Sequence, residues 1–334
     1  MTKSPLLFSR WTPAKPTKVF DTYWYFAAER QAIFFRRMEG QPPETWTQDP
    51  IIGKYKFTNS YRASDRVSQY LIKNIIYAGD QSPEEVFFRI LIFKIFNRIE
   101  TWELLEHELG GVSYADYSFE SYDHVLTRAR KRGARIYSAA YIMPSGNSVF
   151  GYRQKHRNNL RMLERMMEDE VALRIAEAHS MKEAFELLRS YPLIGDFLAY
   201  QYVTDLNYGE LTNFSETEFV VPGPGALSGV HKCFSSLGGL TEANIIRHVM
   251  ERQEEEFHQR GIEFQTLWGR PLQLIDCQNL FCEVDKYARI AHPEFANGRT
   301  RIKQNYRYND RSLEYWYPPK WKLNGKIRKA KGVG

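Results

Sequence analysis

The 334 residues are 43% hydrophobic and carry a formal net charge of +6, enough for a substantial core in one large domain or two packed ones. The longest apolar run, residues 86–96, is interrupted by Arg89 and Lys94, and residues 1–17 hold several prolines but no apolar segment; neither a membrane span nor a secretory signal is expected, and a cytoplasmic protein is. Cys233, Cys277 and Cys282 match no disulfide framework, zinc pattern or four-thiolate cluster, so buried reduced thiols are expected, with no metal and no cofactor.

Helical periodicity dominates the chain, without repeats or low-complexity linkers. Residues 20–38 set Tyr23, Phe26, Ala27, Ile33 and Phe34 on one face, and Gly40, Pro42 and Pro43 stop the pattern. Ser64 or Asp65 is placed to cap a helix reaching about Tyr77. Ser82-Pro83-Glu84-Glu85 supplies a cap, a first-turn proline and two acids at the positive dipole end. That helix is predicted to continue through 86–96 towards Leu109, where Gly110-Gly111 ends it. Further helices are predicted near 119–133, 151–179, 180–189, 197–206, 241–261 and 272–288. The best strand signals are 136–143 and 219–221. The expected fold is mainly α: a helical domain over 20–298, an N-terminal arm over 1–19 and a basic aromatic tail over 299–334.

Ser180 and Glu183 form a capping box, Tyr191-Pro192-Leu193-Ile194-Gly195 reads as a tight turn, and Leu198-Ala199 begins a second helix. This resembles the helix-hairpin-helix element of DNA glycosylases over 180–208. The resemblance implies a glycosylase-like helical fold in which amides at Ile194 and Gly195 grip a phosphate, as free helix-start amides do. Leu193 stands where that family has its first glycine, which weakens the grip. The resemblance also implies a catalytic aspartate about twenty residues on. The window here offers only Glu216 and Glu218. Glu218 is the leading candidate, with Glu216 and Asp205 as fallbacks, because a fixed anion stabilises the oxocarbenium-like state of glycosidic cleavage. Both glutamates also read as solvated loop residues. Asp196-Phe197 after Gly195 replaces the lysine of bifunctional relatives, so lyase chemistry is excluded.

The tail carries Arg299, Arg301, Lys303 and Arg307, then Lys320, Lys322, Lys326, Arg328, Lys329 and Lys331, interleaved with Asn, Tyr and Trp. Cations neutralise phosphates and aromatic faces stack on bases, so the mixture suits DNA; a solvated terminus is the plainer reading. Arg299, Arg301, Lys303 and Lys320 are the DNA-contact candidates there. Arg62 and Arg66, four apart and expected on one helix face, join them with Lys232.

A narrower resemblance rests on several strings. They are Glu29-Arg30 with Arg36-Arg37, Trp46-Thr47-Gln48-Asp49-Pro50, Lys56-Phe57-Thr58-Asn59, Tyr61-Arg62, Asp65-Arg66 and Phe96-Asn97-Arg98. Further on come Gln201, Thr204-Asp205-Leu206-Asn207-Tyr208, Phe219 to Gly225, Asp276-Cys277-Gln278-Asn279, Cys282-Glu283 and Asp285-Lys286-Tyr287. Arg299-Thr300-Arg301-Ile302-Lys303 and Tyr317-Pro318-Pro319-Lys320-Trp321 close the set. Together they resemble the helical domain of 5-hydroxymethyluracil DNA kinases and of alpha-glutamyl/putrescinyl thymine pyrophosphorylases. The resemblance implies a relative of helix-hairpin-helix glycosylases that handles hypermodified pyrimidines in phage DNA.

From the residues themselves, Phe57, Asn59, Tyr61, Gln201, Asn207, Tyr208, Asp276, Asn279 and Glu283 are candidates for a base pocket, by stacking or by hydrogen bonds to a flipped base. For each, a core aromatic or a structural hydrogen bond is at least as good a reading; for Glu283 it is an ion pair to Lys286. The expected function is a monofunctional DNA glycosylase that excises a hypermodified pyrimidine, in anti-phage defence. The alternatives are a transferase or pyrophosphorylase-type enzyme of thymine hypermodification and a modified-DNA-binding module. A kinase is disfavoured, since residues 223–229 are glycine-rich but lack the Gly-Lys pair of a phosphate loop.

Overall fold

Thr17 accepts a hydrogen bond from the Val19 amide and starts the first long helix, Lys18–Met38. In the computed structural model the described residues are 13–296, 298, 300–308 and 314–330. They fall into two compact units, drawn from Met1–Asp65, Glu216–Ser312 and Lys329–Gly334, and from Arg66–Ser215 and Leu313–Arg328. The expected mainly α fold is observed. A two-stranded antiparallel sheet, Lys15–Pro16 against Phe234–Ser236, is the only sheet among the described residues. No described helix is long and apolar enough to cross a membrane.

The first unit is organised around the helix Leu274–Ala291, which packs against Lys18–Met38, Pro224–Cys233 and Glu242–Glu251. Apolar positions recur on its inner side and meet rings from the first helix, with Tyr23 and Phe281 centroids 4.5 Å apart. Trp24 continues this core onto Phe257 at 4.8 Å, and Phe257 stacks on Phe264 at 4.4 Å.

The glycine-rich stretch 223–229 opens a helix, Pro224–Cys233, that was not among the expected ones. Gly223 is the N-cap and Pro224 occupies the first turn. The glycines serve close approach. A Cβ on Gly229 would lie 2.0 Å from the Phe281 carbonyl oxygen, and one on Gly225 would lie 2.3 Å from Cys282 Sγ. Residues 223–229 are a helix–helix contact and form no phosphate cradle.

In the second unit the helix Pro83–Phe96 is apolar nearly all round and correspondingly buried. The two charges interrupting its apolar run are satisfied inside. Arg89 donates to the Ile75 and Asp80 carbonyls at 3.2 and 2.6 Å, and Lys94 donates to Asn97 Oδ1 at 2.9 Å. Glu85 accepts from the Tyr114 and Ala115 amides, both at 2.9 Å.

Three expected helices are broken. Asn97 ends Pro83–Phe96 in the left-handed conformation (φ 47°), which asparagine tolerates, before Ile99–Leu109 begins. Glu170 (φ 53°) separates Lys155–Glu168 from Val171–Ala176, and Arg252 separates Glu242–Glu251 from Gln253–Gln259. The expected strands at 136–143 and 219–221 do not form. The former contains the positive-φ Tyr141 and the latter runs into the Gly223 cap, and neither has a strand partner.

Gly229→Ala drives a Cβ into backbone, so it is expected to lower stability by about 3 kcal/mol in urea unfolding, with no side-chain substitution relieving it. Gly225→Ala meets chiefly the Cys282 sulfur, and Cys282→Ala is expected to recover most of that loss.

Candidate functional site

The hairpin forms as two helices, Met181–Arg189 and Asp196–Leu206. Ser180 caps the first through the Glu183 amide at 3.2 Å, and Glu183 accepts from the His179 amide at 2.8 Å. Leu193 adopts φ 72°, the glycine-type conformation, at a cost of about 1–2 kcal/mol. Its side chain lies against Gly146, where a Cβ would approach Leu193 Cδ1 to 2.7 Å. Ile194 is buried, and exposed Gly195 is the N-cap of the second helix. Asp196 in its first turn is ion-paired to Arg189, so a carboxylate already sits at the amide end.

Of the three carboxylates expected to be catalytic, Asp205 alone lies in the unit that holds the hairpin. Asp205 is fully buried and paired with Lys94 at 3.1 Å. Glu216 and Glu218 belong to the other unit. Glu216 pairs with Arg270 at 2.7 Å, and Glu218 is exposed, with its backbone carbonyl taking the Arg247 guanidinium. Lys232 is buried and bound to Asp285 at 2.9 Å, so it is not a phosphate contact.

The base-pocket candidates divide between the units. Gln201, Asn207 and Tyr208 are buried in the second. Asn207 closes a turn there, its Oδ1 accepting from Thr212 and the Phe214 amide at 3.0 and 2.8 Å. Tyr208 packs edge-on against Trp321. Lys320 donates to the Gly209 and Thr212 carbonyls at 2.8 and 2.7 Å, binding chain where DNA was expected.

Phe57, Asn59, Tyr61, Asp276 and Glu283 do gather in the first unit, around the segment 57–65. Two helices hold that segment. From Lys18–Met38, Arg30 donates to the Thr58 carbonyl at 3.0 Å and to Asn59 Oδ1 at 3.2 Å. From Leu274–Ala291, Glu283 accepts the Thr58 amide at 3.2 Å and Asp276 accepts the Arg62 amide at 2.8 Å. Asp65 accepts the Asn59 amide at 2.8 Å, and the Tyr61 hydroxyl donates to the Arg270 carbonyl at 2.6 Å. Glu283 pairs with Lys286 at 2.6 Å, whose ammonium lies 5.3 Å from the Phe57 ring centre. Asn279 is half-buried on the same helix. These hydrogen bonds are spent on the fold. Burial raises the Asp65 carboxyl to about 7, with Glu283 adding to the rise, and raises Asp276 to about 6.

Arg62 and Arg66 do not share a helix face. Arg62 begins a short 3-10 turn, Arg62–Ser64, and is 2% exposed. Asp65 is extended, and Arg66 starts a new helix in the other unit with its guanidinium 3.7 Å from Glu100.

An open polar cleft of the first unit lies elsewhere, mostly at residues quoted for the family resemblance but not chosen as site residues. About 500 Å³ in volume, it is lined by Tyr25, Glu29, Arg36, Thr45, Thr47, Gln48, Asp49 and Pro50. Asp49 caps the helix Pro50–Lys54 through the Ile51 and Ile52 amides at 2.8 and 2.9 Å, and accepts the Tyr25 and Tyr287 hydroxyls at 3.1 and 2.7 Å. Burial, with Asp49 adjacent, raises Tyr25 to about 12. Thr47 donates to Glu29 at 2.5 Å, and Arg36 lies 3.6 Å from the same carboxylate. The signal available in sequence was the pairing of Glu29 with Arg36, seven apart on one helix face, with a polar Thr-Gln-Asp cap.

Part of the basic tail docks beside this cleft. The Lys56 amide donates to the Gln304 carbonyl at 3.0 Å and the Tyr306 amide to the Lys54 carbonyl at 2.9 Å. Tyr308 and Tyr306 lie 5.9 and 6.5 Å from Trp46, whose ring also carries Arg37 at 5.6 Å. Arg301, Lys303 and Arg307 stay exposed. Arg299 lies outside the described residues.

A mainly α fold with a polar cleft bordered by cations and aromatic rings is a class shared by many enzymes and binding modules. Within it, the chain matches a family model, 5-hmdU DNA kinase, helical domain, over residues 17–297, and it belongs to that family. It is 26% identical over 320 residues to the 5-hmdU DNA kinase of Bacillus phage SP10, covering 89% of this chain and 50% of that protein. The chain thus spans about half the length of the curated relative it matches. No solved structure matches.

These relatives overturn the expected glycosylase. Their named activity is that of a kinase, a phosphotransferase and not a hydrolase. The case made against a kinase from the missing phosphate loop is overturned at the level of family. The string itself is absent, and the match is to the family's helical domain.

Two measurements separate fold from site. Asp65 holds its proton in the folded state to about pH 7, whereas the unfolded chain releases it near pH 4. The folded form therefore binds more protons across that window, and stability falls as pH rises through it. Asp65→Asn is expected to flatten this fall in urea midpoints taken from about pH 4.5 to 7.5. Asp205→Ala strands Lys94 and is expected to cost about 3–5 kcal/mol in the same assay, recovered in part by Lys94→Met.

Proposed function

We propose that the chain is a DNA transferase component that works at the 5-hydroxymethyl group of uracil in DNA and serves phosphoryl transfer to that hydroxyl. The family match over 17–297 supports this reading. The cleft with Glu29, Arg36, Thr47 and Gln48 takes the modified pyrimidine. Gln48 offers a donor and an acceptor to a uracil edge, and Glu29 offers an acceptor to a hydroxyl. The cations Arg301, Lys303 and Arg307, beside Trp46, Tyr306 and Tyr308, take the phosphates and bases that flank it. The sequence carries no phosphate loop of its own. That observation favours a second reading, in which the chain acts on hydroxymethyluracil already activated by another component, an added nucleophile displacing the activating group.

Both readings require preference for the modified base. Fluorescence anisotropy with matched duplexes is expected to show tighter binding to 5-hydroxymethyluracil DNA than to thymine DNA, and Gln48→Ala to erase the difference. Nucleoside mass spectrometry after incubation with a nucleoside triphosphate is expected to give the phosphorylated nucleoside. Preference without phosphorylation favours the second reading, and equal binding to both duplexes removes the two together.

A further inference from the structure

The longest acid-free cluster of cations in the second unit went unused in the sequence reading. Residues 128–135 carry Arg128, Arg130, Lys131, Arg132 and Arg135 without one acid. Arg128 is taken by Glu108. Lys131, Arg132 and Arg135 are exposed, at and beyond the end of the helix Phe119–Lys131.

The chain leads directly from this cluster into a segment that exposes Ile142. Arg135 donates to the Tyr137 carbonyl at 3.1 Å, and the Lys155 ammonium lies 4.2 Å from the Tyr137 ring centre. Tyr141 then takes φ 56°, an uncommon conformation for an aromatic residue. Its ring stacks on Phe197 with centroids 5.6 Å apart and planes 7° apart, and the Lys94 ammonium lies 4.6 Å from its centre. Met143 is buried and holds the Tyr202 hydroxyl at 2.8 Å. Between these two anchors, Ile142 is 66% exposed, the highest value among the large hydrophobic residues described. The strained backbone and the stacked ring hold an aliphatic side chain out into water, where it gains nothing for the fold.

We propose that the segment 131–142 binds duplex DNA, with Lys131, Arg132 and Arg135 on the phosphate backbone and Ile142 entering the base stack as a wedge. Aliphatic side chains that part base steps act in this way, and cations beside them supply the affinity. The inference rests on the reading above that DNA is the partner, and names the surface of the second unit that meets it. Charge decides the occupant: an exposed apolar side chain on the same segment as three exposed cations suits a polyanion with a hydrophobic interior, which is a base stack.

The test uses the full chain and a fluorescent duplex with 2-aminopurine at its centre. The triple variant Lys131→Gln, Arg132→Gln, Arg135→Gln is expected to lower the slope of log affinity against log salt by about three and to weaken binding at least tenfold near 0.1 M salt. Ile142→Ser is expected to keep the slope and lose the rise in 2-aminopurine fluorescence, with binding weakened roughly fivefold. All four side chains are exposed, and circular dichroism checks that the variants are folded. A wild type that binds DNA while both variants match it in slope and fluorescence overturns this proposal and leaves the parent reading standing. A wild type that binds no DNA overturns both. If Ile142→Ser instead only dissociates a self-associated form in sedimentation, the segment is a protein contact and the proposal fails.

Discussion

Three carboxylates buried on one helix hold the first unit together. Asp276, Glu283 and Asp285 all lie on Leu274–Ala291, each no more than 5% exposed. Desolvating an anion is costly unless donors surround it. Asp276 takes the Arg62 and Gln273 amides, Glu283 takes the Thr58 amide and Lys286, and Asp285 takes Ser228, Lys232 and Arg289. The donors come from the segment 57–65 and from the helix Pro224–Cys233, so both are tied to the same axis. Gly225 and Gly229 let the two helices approach closely enough for Lys232 and Ser228 to reach Asp285.

This arrangement explains where the family-specific strings went. Within these strings the Thr58 and Arg62 amides bond Glu283 and Asp276, Glu283 holds Lys286, Asp285 holds Ser228 and Lys232, and Tyr287 donates to Asp49. The polar groups of these strings are largely consumed by contacts within the chain. Glu29 and the strings Arg36-Arg37 and Trp46 to Pro50 behave differently. They leave Glu29, Arg36, Thr47 and Gln48 lining an open cleft, with polar atoms facing solvent where a ligand can meet them.

Much of the helical architecture was legible, because caps and apolar periodicity are local signals. Ser82, Ser180, Gly110 and the apolar face of Lys18–Met38 stand where the patterns put them. The breaks at Asn97 and Glu170 were not legible, since a left-handed residue inside a helical pattern is chosen by what packs around it. The helix over 224–233 was not legible because the residues its glycines approach, Cys282 and Phe281, are distant in sequence. Site residues fared worse for the same reason. A buried asparagine or glutamate looks identical in sequence whether it faces a ligand or a backbone amide, and here Asn59, Asn207 and Glu283 face the chain.

Leucine at the glycine position of the hairpin turn looked like a lost phosphate contact, yet the backbone keeps the glycine conformation at Leu193. The compensation lies in the partner. Gly146 has no side chain and a φ of +70°, which opens the space that the Leu193 methyl groups fill. Burying part of a leucine there returns about 1–2 kcal/mol, comparable to the conformational strain. The turn is thereby fastened to the loop that carries Tyr141 and Ile142, while Asp196 and Arg189 occupy the amide end of the following helix. A hairpin built this way acts through what it positions, and the residues it positions are Phe197 and the aromatic ring stacked upon it.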